Sequence, residues 1–250
     1  MKKAVLITGT NGGVGRALKY KFSTEGYAVI GVDKDEDFAG CDHFIKSDFI
    51  ELAACQKSQA RLIEELSGTI SAYQLEGVVN NSALQIIKAV EELTVLDIQK
   101  SLSVNLIAPF VISKFCLPFL EESSGVIINI GSIHASLTKK GFVAYSMSKG
   151  ALEVMTKSLA VEVGERVKVN MIAPAALDTD MLRAGFKLDM GQYEKLARYH
   201  PVGNVGSPNE LALFVYRLVS DKLGFLNGSV IDFSGGIRSC LSDPSCEVPL

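Results

Sequence analysis

The sequence predicts one α/β domain spanning residues 1–250: a doubly wound parallel sheet of about seven strands with helices on both faces. Three observations predict it. Short apolar runs alternate with longer amphipathic segments along the chain, the order of repeated strand–helix–strand units. The length, 250 residues, suits one such domain better than two small ones. A glycine cluster closes the first apolar run and opens the first helical one.

The elements follow in order. Lys3–Thr8, β-branched and aliphatic, is the first strand, and Val14–Glu25 the first helix. Ala28–Val32 is the second strand and ends at Asp33. Asp35–Cys41 is polar and too short for a crossover helix, so that helix is expected to shrink to a turn. His43–Lys46 is a short third strand. Glu51–Ala72 is helical by period, Leu75–Asn80 a strand, and Thr94–Leu120 a long helix. Val126–Ile130, Val167–Ile172 and Val230–Phe233 complete the strands, and Val143–Val163 and Pro208–Val219 the helices. No repeat, low-complexity tract or interdomain linker interrupts them.

Composition narrows the partners. Apolar residues make up 48% and charged residues 21%, enough to bury a large core without disulfide or metal staples. Net charge is −3, from 25 basic and 28 acidic side chains, which leaves no basic surplus for a phosphate backbone. No apolar run has the length to cross a bilayer. The apolar start Ala4–Ile7 stops at Thr8-Gly9, too short for a signal peptide. The expectation is a cytoplasmic protein with no nucleic-acid or membrane partner. Cys41, Cys55, Cys116, Cys240 and Cys246 form no CxxC pair, so no metal site is expected and free thiols are. Cys240 and Cys246 flank a proline-containing tail and are near enough to pair.

The loop Thr8-Gly9-Thr10-Asn11-Gly12-Gly13-Val14-Gly15 lies between first strand and first helix. A dinucleotide needs glycines here: one for the tight turn, one for close backbone approach to the pyrophosphate, one for helix–strand packing. The pyrophosphate then rests on the positive end of the helix. An ordinary βα turn is the plain alternative, but an acid closing the second strand favours a Rossmann-type nucleotide site. Gly9, Thr10, Asn11, Gly13, Val14 and Gly15 are its candidate contacts. Asp33 can accept both hydroxyls of the adenine ribose and repels a 2′-phosphate. No arginine stands in the loop, since Arg16 lies inside the helix. NAD(H) is therefore preferred to NADP(H); Lys34 argues the other way only if it is more than a solvated partner of Asp33.

Tyr145 and Lys149 are four residues apart in a helical stretch and share a face. A nearby ammonium stabilises phenolate, and lowering the phenol pKa by about two to three units takes roughly 3–4 kcal/mol. The phenol can then exchange a proton with a substrate oxygen. Alone, such a pair is common on any amphipathic helix.

Together these segments make the chain resemble the short-chain dehydrogenase/reductase family, in its compact form and over nearly the whole length. Tyr145-Ser146-Met147-Ser148-Lys149 is similar to its Tyr-x-x-x-Lys motif. Ser132, thirteen residues earlier, matches the serine that holds the substrate oxygen. Asn105 matches the helix asparagine that supports a water-linked proton relay through the lysine. The resemblance implies that Asp48 and Phe49 flank the adenine. It sets Asn81 and Ala83 of Asn80-Asn81-Ser82-Ala83 beside the adenosine ribose. Pro174, Leu177 and Thr179 would meet the nicotinamide carboxamide, and Lys149 with Tyr145 would reach the nicotinamide ribose. Ala83 and Ala175 replace glycines usual in the family, each adding a methyl near the cofactor channel.

The implied activity is an NAD(H)-dependent oxidoreductase that interconverts a secondary alcohol and a ketone by hydride transfer. Asn105, Ser132, Tyr145 and Lys149 are its candidate catalytic residues, with Tyr145 as general acid/base. Two alternatives stand beside it. One is a non-catalytic dinucleotide sensor or scaffold, which would need only the glycine loop and Asp33. The other is a 3-oxoacyl carrier-protein ketoreductase, disfavoured by Asp33 and the thin basic content. The resemblance also implies a homotetramer or homodimer, with Thr94–Leu120 and Val143–Val163 in one interface. Segment 175–206 is the expected substrate lid, with apolar Met181, Leu182, Phe186, Leu188, Met190 and Tyr193 and basic Arg183, Lys187, Lys195 and Arg198. Segment 238–250 is a tail past the last strand. His134 is a candidate for the pocket wall; His200, Lys139 and Lys140 read better as loop residues. The small-molecule substrate is open among polar metabolites, sugars, acyl thioesters and steroid-like ketones.

Overall fold

Parallel strands covered by helices on both faces cannot tolerate polar side chains on either side, and Ala4-Val5-Leu6-Ile7 has none. In the computed structural model this segment is fully buried within β1 (Lys3–Thr8). The structure describes residues 1–186 and 190–241. The other strands are β2 (Ala28–Asp33), β3 (His43–Lys46), β4 (Gln74–Asn80), β5 (Val126–Ile130), β6 (Lys168–Pro174) and β7 (Val230–Phe233). All seven pair in parallel in the order β3-β2-β1-β4-β5-β6-β7. The order reverses between β1 and β4, which opens a crevice at their C-terminal ends.

The alternation of side chains along β1 splits the core into two layers. Val5 and Ile7 face α1 (Gly13–Thr24) and α9 (Pro208–Ser220), packing with Leu18, Phe22, Leu211 and Val215. Ala4 and Leu6 face the opposite layer. That layer holds α2 (Phe49–Ala54), α3 (Gln56–Ile70), α5 (Ala108–Ser123) and α6 (Val143–Val163). Between β2 and β3 no helix forms, as the polar spacing of residues 35–41 predicts. Two short helices, α7 (Asp180–Gly185) and α8 (Met190–Arg198), lie in the expected lid segment. Lys187 and Leu188 of that segment, and residues 242–250 with Cys246, lie outside the described residues. The proposed pairing of Cys240 with Cys246 falls there too.

Three expectations are corrected. The helix expected over Glu51–Ala72 is two: Cys55 is extended (φ −133°, ψ 115°), ending α2 and starting α3. At 3.6 residues per turn, a straight helix would carry Leu62 about 80° away from the line of Leu52. The break lets both reach the core. The long helix over Thr94–Leu120 is likewise interrupted. A capping box joins Thr94 to Asp97 at the start of α4 (Val95–Leu102), and a π-turn at Ser103–Ile107 leads into α5. Finally, the helical stretch Val95–Ser123, 29 residues long, holds a window that is long and apolar enough to cross a membrane. Here it lies against β4, and Ile112, Cys116 and Leu120 join the core.

Near the start of β4 a fully buried carboxylate, Glu76, is neutralised from two sides. Lys222 Nζ is 2.9 Å away and Lys3 Nζ 3.8 Å. Lys222 also donates to the Ser123 carbonyl at 2.6 Å, reaching it from a left-handed backbone with φ 47°. Lys222→Ala is expected to lower unfolding free energy by about 2–3 kcal/mol in a urea titration. This is less than for a wholly orphaned buried charge, because Lys3 remains.

Candidate active site

The crevice is closed by a hydroxyl. Thr8 Oγ1, at the end of β1, accepts from the backbone N–H groups of Asn81 and Ser82, both at 3.0 Å. The Asn81 side chain returns the contact, donating to the carbonyls of Thr8 (3.0 Å) and Gly9 (3.1 Å). The two strand ends flanking the switch point are thus held together. The glycine loop rises beside them. Gly9 has φ +71°, and a Cβ there would lie 2.9 Å from Ser82 Cα. At Gly15 a Cβ would come within 1.9 Å of the Gly9 carbonyl oxygen, so only glycine lets α1 begin so close to β1. This cradle, with the N-terminus of α1 facing it, fits a dinucleotide pyrophosphate.

Asp33 is buried at the end of β2. Its Oδ2 accepts from Asn11 N at 3.0 Å and its Oδ1 from Lys34 N at 2.8 Å. Each oxygen keeps acceptor capacity for a hydroxyl. The remaining expected contacts are placed unevenly. Thr10 is fully buried, its hydroxyl lying by Gly31. Val14 packs on the core, and the Phe49 ring is buried within it. These three offer a ligand backbone rather than side chain. Asp48 caps α2 by accepting from Ile50 N at 2.8 Å. Pro174 is buried at the end of β6, while Leu177 turns toward Gly206. Thr179 caps α7 and stands over Gly13, about where a Cβ would touch it. Ala83 is exposed.

The reactive side chains converge past β5. Ser132 ends the extended segment there and caps a short 3₁₀ turn, its Oγ accepting from His134 N. Tyr145 and Lys149 both face inward from α6. Lys149 Nζ donates to the Ile130 carbonyl at 2.8 Å and sits 5.8 Å from the Tyr145 ring centre. The expected lowering of the phenol pKa is absent from this geometry. Burial pushes Tyr145 up to about 12, and the Ser132 hydroxyl only partly opposes it. Burial also lowers Lys149 to about 8. Desolvation outweighs attraction here because neither charge is in water and the ammonium is held by a carbonyl rather than by the phenol.

A buried polar network anchors α6. Asn105, inside the π-turn, exchanges two hydrogen bonds with the Leu84 backbone (2.8 and 2.9 Å) and donates to Ser148 Oγ at 2.8 Å. Ser101 joins through Ser148 and the Ala144 carbonyl. The Asn105 side chain is therefore committed to positioning, and any relay role falls to its main-chain carbonyl. That carbonyl lacks the usual helical donor, because four residues on stands Pro109, which has no N–H. Sequence reasoning missed Ser101, Ser148 and Phe142. Phe142 stacks on His134 (4.4 Å between centres) and meets the Tyr145 ring edge-on at 6.2 Å. Its spacing three before Tyr145 was the available signal. His134 meets Tyr145 edge-on at 5.8 Å, which brings it to the site. His200 is buried beside Gly235.

A family model described as enoyl-(acyl carrier protein) reductase matches residues 9–238. The chain belongs to the short-chain dehydrogenase/reductase family. The 3-oxoacyl-[acyl-carrier-protein] reductase of Aquifex aeolicus is 30% identical to it over 245 residues, 94% of this chain and 97% of that protein. The ligand-free aldohexose dehydrogenase of Thermoplasma acidophilum superposes with TM-score 0.87 at 26% identity, covering 97% of this chain and 98% of that one. ElxO with NADP bound shares the fold at TM-score 0.84 and 24% identity, over 96% of this chain and 100% of that one. As a short-chain dehydrogenase/reductase, the protein is an oxidoreductase acting on CH–OH or C=O groups of small molecules.

Burying the Lys149 ammonium without a carboxylate costs stability. Its folded pKa of about 8 lies below the ordinary 10.5, so the penalty is complete below pH 8 and fades as pH rises toward 10.5. Lys149→Met is expected to raise stability at pH 7 by about 2–3 kcal/mol, a few degrees in Tm by calorimetry. The gain should shrink at pH 10.

Proposed function

We propose that this enzyme interconverts a secondary alcohol and a ketone with NAD(H), using Tyr145 as general acid/base. The observation that carries the reading is the convergence of the Ser132, Tyr145 and Lys149 side chains, all buried, at the C-terminal end of β5. Ser132 holds the substrate oxygen through its hydroxyl. In reduction the Tyr145 phenol gives its proton to that oxygen; in oxidation the phenolate takes it. Lys149 stabilises the phenolate as it forms, from a position fixed by the Ile130 carbonyl. The Asn105 carbonyl, without a partner from Pro109, receives a water on the Lys149 side. The dinucleotide, when bound, supplies or accepts the hydride. Asp33 supports NAD(H) over NADP(H), although the ElxO relative binds NADP. Its carboxylate stands where a 2′-phosphate would be repelled. Ketoreduction of a carrier-bound acyl thioester is the second reading, favoured by the Aquifex relative.

Tyr145→Phe is expected to cost roughly 10²-fold or more in turnover on an alcohol and ketone panel followed by nicotinamide absorbance. A phenol held up to about 12 is protonated at neutral pH. Oxidation, which needs the base, should therefore quicken as pH rises from 6 to 9, while reduction, which needs the acid, should not. An unmoved variant would refute the assignment.

We further propose that the protein assembles as a homotetramer or homodimer. Exposed Met147, Val154 and Val161 recur every seven residues along α6, so they form one outward stripe. Exposed Ile107 and Phe110 add apolar surface on the neighbouring helical stretch. Replacing Val154 and Val161 by Glu should shift light-scattering mass to a smaller species while leaving the far-ultraviolet circular dichroism unchanged.

A further inference from the structure

We propose that Asn11 is a positioning residue for dinucleotide choice: its side chain pins the segment 34–41 to the glycine loop and thereby shapes the pocket in which the Asp33 carboxylate meets the ribose. The inference rests on reading Asp33 as the ribose-binding group. Every polar atom of Asn11 is engaged. Its N–H donates to Asp33 Oδ2 at 3.0 Å, and its carbonyl accepts from Arg16 at 2.6 Å. Its side-chain Nδ2 donates to the Glu36 carbonyl at 2.7 Å, and its Oδ1 accepts from Phe38 N at 3.0 Å. The last two bonds cross 25 and 27 residues of sequence. They need a donor and an acceptor on one short planar group, which only asparagine provides at this reach.

The segment needs such a pin because it has no helix to hold it. Its outer half is stabilised locally, with the Asp37 carboxylate accepting from the N–H groups of Ala39, Gly40 and Cys41 at 2.8–3.1 Å. Its end tucks under β2, where a Cβ on Gly31 would lie 2.5 Å from Cys41 Sγ. The stretch between, Lys34 to Phe38, is tied to the glycine loop by the two Asn11 side-chain bonds. Without them, the stretch Lys34 to Phe38 behind Asp33 is free to swing away from the glycine loop, while Asp33 itself stays in β2 opposite Lys46; the ribose loses that support and the room denied to a 2′-phosphate opens. Arg16 is not at hand to receive such a phosphate. It is held by the Asn11 carbonyl and by Asp180 at 2.5 Å. Lys46 is paired with Glu36 at 2.5 Å.

The test is a pair of fluorescence titrations, with NADH and with NADPH, on the full-length wild type, Asn11→Ala and Asp33→Asn, with a melting curve for each. Asn11→Ala should weaken NADH roughly tenfold, the worth of about one hydrogen bond to an ordered group, and leave NADPH unchanged or tighter. The NADH-to-NADPH preference then falls while the melting temperature stays near that of the wild type. Equal weakening of both cofactors, or an unchanged preference, overturns the proposal, because a merely structural role moves both alike. Asn11→Ser, which keeps the main-chain bonds but is too short to reach Glu36, should behave like Asn11→Ala and serves if the alanine variant does not fold. Asp33→Asn separates the two readings. A wild type that prefers NADPH, or an Asp33→Asn variant that keeps the wild-type preference, refutes the role of Asp33. A preference lost in Asp33→Asn but intact in Asn11→Ala refutes Asn11 alone.

Discussion

The candidate active-site end of this fold is organised around a buried ammonium that, among the described residues, no carboxylate neutralises. Lys149 is fully enclosed, and among the described residues its hydrogen-bond acceptor is the Ile130 carbonyl at the end of β5. A charge in that setting is costly, and a protein that evolved only for stability would replace it. Retaining it makes sense where a negative charge is to appear nearby. In the mechanism proposed above the Tyr145 phenol is that place: it is enclosed, burial raises its pKa, and the Lys149 ammonium lies 5.8 Å from its ring centre. The surrounding structure serves to keep this pair from relaxing. If α6 could roll, Lys149 would reach water and Tyr145 would follow.

Three sets of contacts prevent that. On one side Asn105, Ser101 and Ser148 join α6 to the π-turn and to Leu84 in the irregular segment after β4. On the sheet side, Asn80 donates to Asn129 and Asn129 to Thr156 of α6, each at 2.8 Å, so the polar chain runs from β4 through β5 into the helix. At the mouth, Phe142 and His134 stack and meet the Tyr145 ring edge-on. Buried polar networks of this kind are stabilising only when nearly every member is satisfied, and a satisfied network permits one arrangement. The π-turn belongs to the same design. It places Asn105 so that its amide holds Leu84 while Pro109 leaves its carbonyl without the helical donor.

The nucleotide end is built differently. There the determinants are absences of side chain: Gly9 and Gly15 let backbone approach backbone, and Gly31 makes room for Cys41. The lost helix between β2 and β3 shortens the path from Asp33 to His43, and the loop that remains leans on Asn11. A 3-oxoacyl-[acyl-carrier-protein] reductase and an aldohexose dehydrogenase share this scaffold over most of its length. Beside the Tyr145 ring stand the His134–Phe142 stack and, past β6, the segment that carries α7 and α8. In that segment Asp178 is clamped by Arg183 at 2.6 Å and by Tyr193 at 2.9 Å.

Much of the architecture was legible in the chain. β1, β3, β5, β7 and α6 have the bounds that their apolar runs and periods predict, because short β-branched runs between turn residues have few other ways to bury themselves. The family is legible too, because glycine spacing and the Tyr145–Lys149 spacing are local. What the chain alone misjudged was non-local. Periodicity continues through Cys55 and through Asn105, so neither break in a helix is visible until the helices must meet the sheet. The side chains of Thr10 and Phe49 are claimed by the core, which no motif records. The acidity of Tyr145 was misread for the same reason: sequence reports that an ammonium is near, but desolvation depends on everything else that packs around both groups. Residue type and spacing determined which groups meet; tertiary burial decided their charge, their partners and the direction each one faces.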